Sequence, residues 1–231
     1  MKKYSENIQN RFTARHKKCI SICGEVKGKK ILNIGSYNGW FEKEMINRGA
    51  KEIVGIDIND KFLKMAKNNV PKAKYLKMSA LELNFPKDSF DIITMFDVLE
   101  HLPREKENKV FSTIYKILRP KGKLIISVPN YHFFANLFDP AWYLGHRHYS
   151  LRKLTQILNK NGFLIKESGY GGGIVCIFSI IFLYFFKYFF RLEIPFKEQI
   201  DKLRCKEYQE KQKGIMTLFV IAQKTERKIK Y

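Results

Sequence analysis

The sequence predicts an α/β domain built on a mostly parallel sheet of seven strands, with helices on both faces. Three observations carry that prediction. From Lys30 onward, short apolar runs alternate with longer amphipathic stretches, which is the pattern of βαβ units whose strands are buried on both sides. The 231 residues suffice for one full core and are few for two domains of ordinary size. An apolar fraction of 45% with 14% aromatics excludes an intrinsically disordered chain, which lacks the side chains needed to offset the entropy of ordering.

The elements follow in chain order. Tyr4 to Val26 reads as a basic helix packed beside the sheet, with Ile8, Phe12, Cys19 and Ile22 at rough helical spacing. The first strand, Ile31 to Ile34, runs into a glycine turn and a helix from Gly39 to Asn47. A second strand, Ile53 to Asp57, precedes a helix from Asp60 to Asn68, and a third covers Ala73 to Met78. Phe90 to Phe96 and Gly122 to Pro129 are the fourth and fifth strands, joined by a helix from Arg104 to Leu118. The next helix, Ser150 to Asn161, has Ser150 as its N-cap and Asn161-Gly162 as its stop. Phe163 to Ser168 and Ile215 to Gln223 complete the sheet.

Two segments break the alternation. Tyr131 to Tyr143, YHFFANLFDPAWY, is too apolar for an ordinary solvated loop. Between the last two strands, GYGGG leads into Ile174 to Phe190, a run whose one charged side chain is Lys187. The organisation expected is one domain over residues 1–231, with a basic N-terminal helix (1–29), an aromatic lid (131–149) and an apolar insertion (169–214). That apolar run is short for a spanning helix, which needs about twenty residues. A seventh strand lying beside the sixth also forbids a single crossing, so an interfacial helix, a hairpin, a homodimer contact and a core helix stay open. The formal charge of +21 favours anionic surfaces. Interfacial docking on an anionic membrane would use it.

Cys19, Cys23, Cys176 and Cys205 form no CxxC pair and no zinc spacing, which points to reduced thiols in a cytoplasmic protein. The N-terminal stretch is positive but has no apolar run behind it, so no secretory signal is expected.

The chemistry begins at the first turn. ILNI passes into Gly35-Ser36-Tyr37-Asn38-Gly39, a strand-to-helix turn whose glycines let a ligand approach the backbone. About twenty residues on, Asp57 ends the second strand, where a carboxylate can accept bonds from both hydroxyls of a ribose. Together they describe an adenosine-type site at the carboxyl edge of the sheet.

The succession ILNIGSYNGWF, VGIDIND, YLKMSALEL, FDIITMFDVLEHL, ILRPKGKLIISVPN and GHRHYSLRKLTQILNKNGF runs from about Lys29 to Phe163. It resembles the class I S-adenosylmethionine-dependent methyltransferases, in particular the type 11 group that includes ubiquinone and menaquinone biosynthesis enzymes. The resemblance implies a Rossmann-like methyltransferase fold with TLFVIAQK as an antiparallel last strand, and S-adenosyl-L-methionine as cofactor. It assigns Gly35 and Gly39 to the cofactor loop, where Tyr37 stands in place of a middle glycine and Asn33 in place of the usual acid. It assigns Asp57 to the ribose, Ile58, Ser79 and Ala80 to the adenine, and Phe96, with Asp97, to the neighbourhood of the sulfonium. A nicotinamide oxidoreductase shares the glycine turn and ribose acid, but Gly35 to Gly39 does not contain GxGxxG. Thr94-Met95-Phe96-Asp97 lacks the tetrad of nucleobase-amine methyltransferases, so a nucleic-acid substrate is disfavoured.

His101, His146 and His148 are the candidate bases for a hydroxyl acceptor, with loop-orienting roles as the alternative. Asp97, Glu100 and His101 form DxxEH, which on a helix shares one face and can hold a divalent ion; capping is the competing role, and no metal is assigned. The function expected is methyl transfer to a small or lipid-like acceptor by O- or C-methylation. The departures at Tyr37 and Asn33 leave one alternative, a catalytically silent cofactor-binding protein acting as a membrane-associated partner.

Overall fold

A computed structural model describes residues 13–143, 145–186, 196–209 and 214–226. Seven strands form one sheet: β1 (Lys30–Ile34), β2 (Glu52–Asp57), β3 (Lys74–Lys77), β4 (Phe90–Phe96), β5 (Leu118–Pro129), β6 (Phe163–Gly171) and β7 (Thr217–Lys224), in the order β3-β2-β1-β4-β5-β7-β6. β1 to β5 pair in parallel, while β7 enters between β5 and β6 and runs antiparallel to both. The carboxyl ends of β1, β2, β4, β5 and β6 therefore share one edge, the edge at which open α/β sheets take ligands.

Alternation along β1 sorts its side chains onto two faces. Leu32 and Ile34 join a core with Val110, Phe111 and Ile114 of α4 (Glu107–Ile117) and Leu154 and Leu158 of α7 (Leu151–Lys160). Ile31 faces the opposite core with Cys19 of α1 (Ala14–Ser21), Phe41 and Met45 of α2 (Trp40–Asn47), and Cys176 and Tyr208 of α8 (Ile174–Phe185) and α9 (Lys197–Gln209). The helix α3 (Asp60–Asn69) lies along β2 and β3, and the short α5 (Phe133–Phe138) and α6 (Pro140–Tyr143) follow β5. Ser150 caps α7 as its sequence suggests, with Oγ accepting from the Lys153 N–H at 3.3 Å.

Three expectations change. β5 begins at Leu118, ahead of the expected Gly122, because Leu118 pairs with Phe90 and the next residues bulge, with Lys121 left-handed at φ 60°, before Lys123 pairs with Ile92. The preceding helix starts at Glu107, three residues after Arg104, since Pro103 and a left-handed Glu105 (φ 65°) occupy the approach. Of the long basic helix, Ala14–Ser21 is helical and Ile22 to Val26 is not; Ile8 and Phe12 lie outside the described residues, as does Lys187 to Phe190 of the apolar run. All four cysteines are free, and burial pushes the thiols of Cys23 and Cys176 up to about 12, which leaves them unreactive.

Candidate active site

A cavity of about 620 Å³ opens at the carboxyl edge of β1, β2 and β4, a size suited to a nucleoside cofactor. Its floor is the first turn. The Gly35 and Ser36 N–H groups donate to the Ile56 carbonyl at 2.8 and 2.9 Å, which pins the turn to β2. Gly35 has φ 86°, and a Cβ there would stand 2.5 Å from Val98 Cγ2, so no larger residue fits between the turn and β4's exit. Tyr37, in the place of a middle glycine, takes φ 47°, the left-handed conformation a glycine takes freely. Its ring leaves the turn to pack edge-on against Phe62 at 4.7 Å.

Asp57 sits at the rim, with Oδ2 accepting from the Tyr37 N–H at 3.0 Å and Oδ1 from the Asn59 N–H at 2.9 Å. Each carboxylate oxygen holds two lone pairs, so one on each oxygen remains for a ligand hydroxyl. Ile58 beside it is 70% exposed and faces the cavity with Met78, Ser79, Ala80 and Leu81. Ser79 Oγ accepts from the Leu81 N–H at 3.2 Å, capping a 3-10 turn over Ala80–Glu82 and keeping a second lone pair for an exocyclic amine.

At the end of β4, Phe96 packs on Phe41 at 5.2 Å, and Asp97 has a left-handed φ of 53°. Asp97 accepts the Ser127 hydroxyl at 3.0 Å and pairs with Arg15 at 3.0 Å. Non-glycine residues held at positive φ cluster at working sites, where the surrounding contacts over-determine them. His101 also lines this cavity. Its pKa is lowered by burial and by the neighbouring His146, whose ring centre is 4.6 Å away in an edge-on arrangement.

The structure thus brings Gly35, Tyr37, Asp57, Ile58, Ser79, Ala80, Phe96 and His101 to one cavity. Four candidates stand elsewhere. Asn33 is buried behind β1: its Nδ2 donates to Glu42 Oε1 at 2.8 Å and its Oδ1 accepts the Thr94 hydroxyl at 2.8 Å. Gly39 starts α2 at φ 83°, where a Cβ would meet the Tyr75 hydroxyl at 2.8 Å and Ala66 Cα at 3.3 Å, so its smallness serves helix packing. His146 lines a second cavity of about 720 Å³ with Arg104, Tyr131, Trp142 and Lys153. His148 borders that same space, but Asn136 Oδ1 lies 2.6 Å from its Nδ1 and the Asp139 carboxylate 3.2 Å from its Nε2, so the ring is bonded through Nδ1 and faces a carboxylate at Nε2.

The DxxEH face does not form. Leu99–His101 is a 3-10 turn preceded by left-handed Asp97, which turns toward Arg15 and Ser127. Glu100 is buried, and desolvation with the Asp97 charge pushes it up to about 8. Among the described residues no three His, Cys, Asp or Glu side chains are placed to hold a metal. Sequence reasoning missed Arg15, His16 and Trp40, which also line the first cavity. His16 stacks on Trp40 at 4.3 Å and takes part in the cap of α1 through Thr13. Only the amphipathic start of α1 hinted at them.

Residues 4–168 match the model of a methyltransferase domain family, and the chain belongs to that family. It is 29% identical over 170 residues to phosphoethanolamine N-methyltransferase 2 of Caenorhabditis elegans, a match covering 70% of this chain and 36% of that protein. It is 28% identical over 123 residues to the ubiquinone biosynthesis O-methyltransferase of Idiomarina loihiensis, covering 51% and 47%. The chain thus spans about a third to half the length of these two relatives. A solved S-adenosylmethionine-dependent methyltransferase from Mesorhizobium loti superposes with a TM-score of 0.67 at 20% identity, over 91% of this chain and 98% of that one. A Haloferax volcanii methyltransferase, solved with its Trm112 activator, superposes at 0.69 with 14% identity over 97% and 94%. The chain thus carries a methyltransferase domain on the Rossmann-like fold that its sequence resembled.

Proposed function

We propose that this methyltransferase acts on a small or lipid-like acceptor at an oxygen, with the 620 Å³ cavity holding S-adenosyl-L-methionine and His101 taking the acceptor's proton. S-adenosyl-L-methionine supplies an electrophilic methyl group on a sulfonium. The residues present suit it: a carboxylate at the rim with free lone pairs for two hydroxyls (Asp57), an apolar wall for a flat base (Ile58, Met78, Ala80) and a guanidinium for a carboxylate (Arg15). Most of the acceleration such a site provides comes from alignment, because the acceptor lone pair must lie in line with the departing sulfur.

The observation that carries the oxygen acceptor is the placement of His101. It is the imidazole that faces the first cavity while touching His146 of the second, so an acceptor lodged in the second space meets it at the boundary. Its lowered pKa keeps it neutral and able to accept a proton at pH 7. C-methylation shares this scaffold and needs a base only where the carbon must first lose a proton. The free cysteines, three of them buried, support a cytoplasmic setting for the reaction.

Turnover of methyl-labelled cofactor with a membrane extract is the test. The His101→Gln variant should bind cofactor normally and lose about 10²- to 10⁴-fold in kcat. In the wild type the acidic limb of the pH profile should fall below the ordinary imidazole value of about 6.5. An unchanged kcat in the variant would reduce His101 to a loop-orienting residue.

A further inference from the structure

A surface on the same edge of the sheet remains unused by the reaction. α5 follows β5 and α8 follows β6, so both helices emerge at the carboxyl edge that holds the cavities, and the two touch each other. Their outer sides are aromatic and open. Phe133 is 72% exposed, Ile174 and Phe178 64% each, with Phe134, Phe138 and Phe185 also exposed. Soluble proteins rarely leave large apolar side chains contiguous on one face unless that face meets a partner.

We infer that α5 and α8 together form the face on which this protein rests on an anionic lipid bilayer. Two features select that occupant over a second copy of the chain. The +21 charge sets one copy against another, while an anionic leaflet attracts it. The chemistry of the face is that of the interface itself: Ile174–Phe185 carries no charged side chain, and basic Lys187 and Arg191 follow in sequence. Among the described residues no helix is long and apolar enough to cross a membrane, and the arrangement inferred is one in which α5 and α8 lie flat in its surface. Tyr131 and Trp142, whose rings pack at 5.9 Å, line the second cavity next to α5 in the chain. An amphiphilic acceptor drawn from the leaflet would enter by these two rings and reach His101 across its contact with His146. The path rests on the functional reading above; the docking itself does not.

Flotation with buffer-filled vesicles in a sucrose gradient tests it, using phosphatidylcholine alone and phosphatidylcholine with about 30% phosphatidylglycerol. The intact chain should float with the anionic vesicles, less so at 0.5 M salt by roughly tenfold or more because screening weakens surface attraction. The Phe133→Glu and Phe178→Glu variants should each lose on the order of tenfold in partitioning. Their affinity for S-adenosyl-L-methionine, measured by calorimetry, should stay at the wild-type value, which shows that they fold. Equal flotation of both variants and wild type, or flotation of none, overturns the proposal. So does a wild-type dimer in light scattering that both variants convert to monomer. Wild type that floats as expected but turns over no labelled cofactor would count against the functional reading and leave the docking standing.

Discussion

At the scale of single residues, the exchange of an acid for Asn33 has a physical reason. The amide stands 2.8 Å from Glu42 Oε1, and a second carboxyl there would face the first inside the core. Asn33 instead donates to Glu42 and accepts from Thr94, bridging β1 to α2 and β4. Glu42 is fully buried, and desolvation pushes it up to about 7 despite that bond. The sign of the consequence is fixed. Below about pH 4.5 the folded and unfolded states both hold the proton. Between there and pH 7 the unfolded chain releases it first, so stability falls as pH rises, by about 3 kcal/mol in all. Glu42→Gln removes that dependence. In thermal melts from pH 4.5 to 8, the advantage of the variant over wild type should grow with pH; a constant difference would mean that Glu42 does not titrate in this window.

At the scale of elements, the turn between β1 and α2 works because three residues accept left-handed backbone, Gly35 at φ 86°, Tyr37 at φ 47° and Gly39 at φ 83°. Tyr37 tolerates it with its ring packed on Phe62. Gly39 has no such freedom, since the backbone of α3 crosses 3.3 Å from where a Cβ would stand. Gly39→Ala should therefore cost about 2 kcal/mol or more, from left-handed strain plus displaced α3, and appear as a lower midpoint in urea unfolding. An unchanged midpoint would show that α3 can retreat. The adjoining segment shows the limit of pattern reading. The spacing of Asp97, Glu100 and His101 fits a helical face, yet Asp97 is left-handed and Leu99–His101 is a 3-10 turn, so the face of an α-helix is not made.

At the scale of the whole molecule, most of the sheet was legible because each strand is an apolar run ended by a turn. The early start of β5 was not, since Pro120 and Gly122 carry turn chemistry and the pairing of Leu118 with Phe90 overrides it. The nucleotide half of the site was legible for a similar local reason: Gly35, Tyr37, Asp57 and Ile58 come from two consecutive turns. The acceptor half depends on tertiary placement. Nothing local reveals that Arg15 reaches Asp97 across the sheet edge, or that Asn136 and Asp139 turn His148 away while His101 meets His146. Position in the chain suggested all three histidines alike, and contacts separated them.

The central claim is that a nucleoside is held between the first turn and Asp57. Calorimetric titration of S-adenosyl-L-methionine into wild type and Asp57→Ala measures it most directly. Loss of two hydrogen bonds to a charged acceptor should weaken binding by about 100-fold or more, with the wild type saturating at one cofactor per chain. Equal affinity in the two proteins would contradict the account, because the cofactor would then lie somewhere other than this cavity.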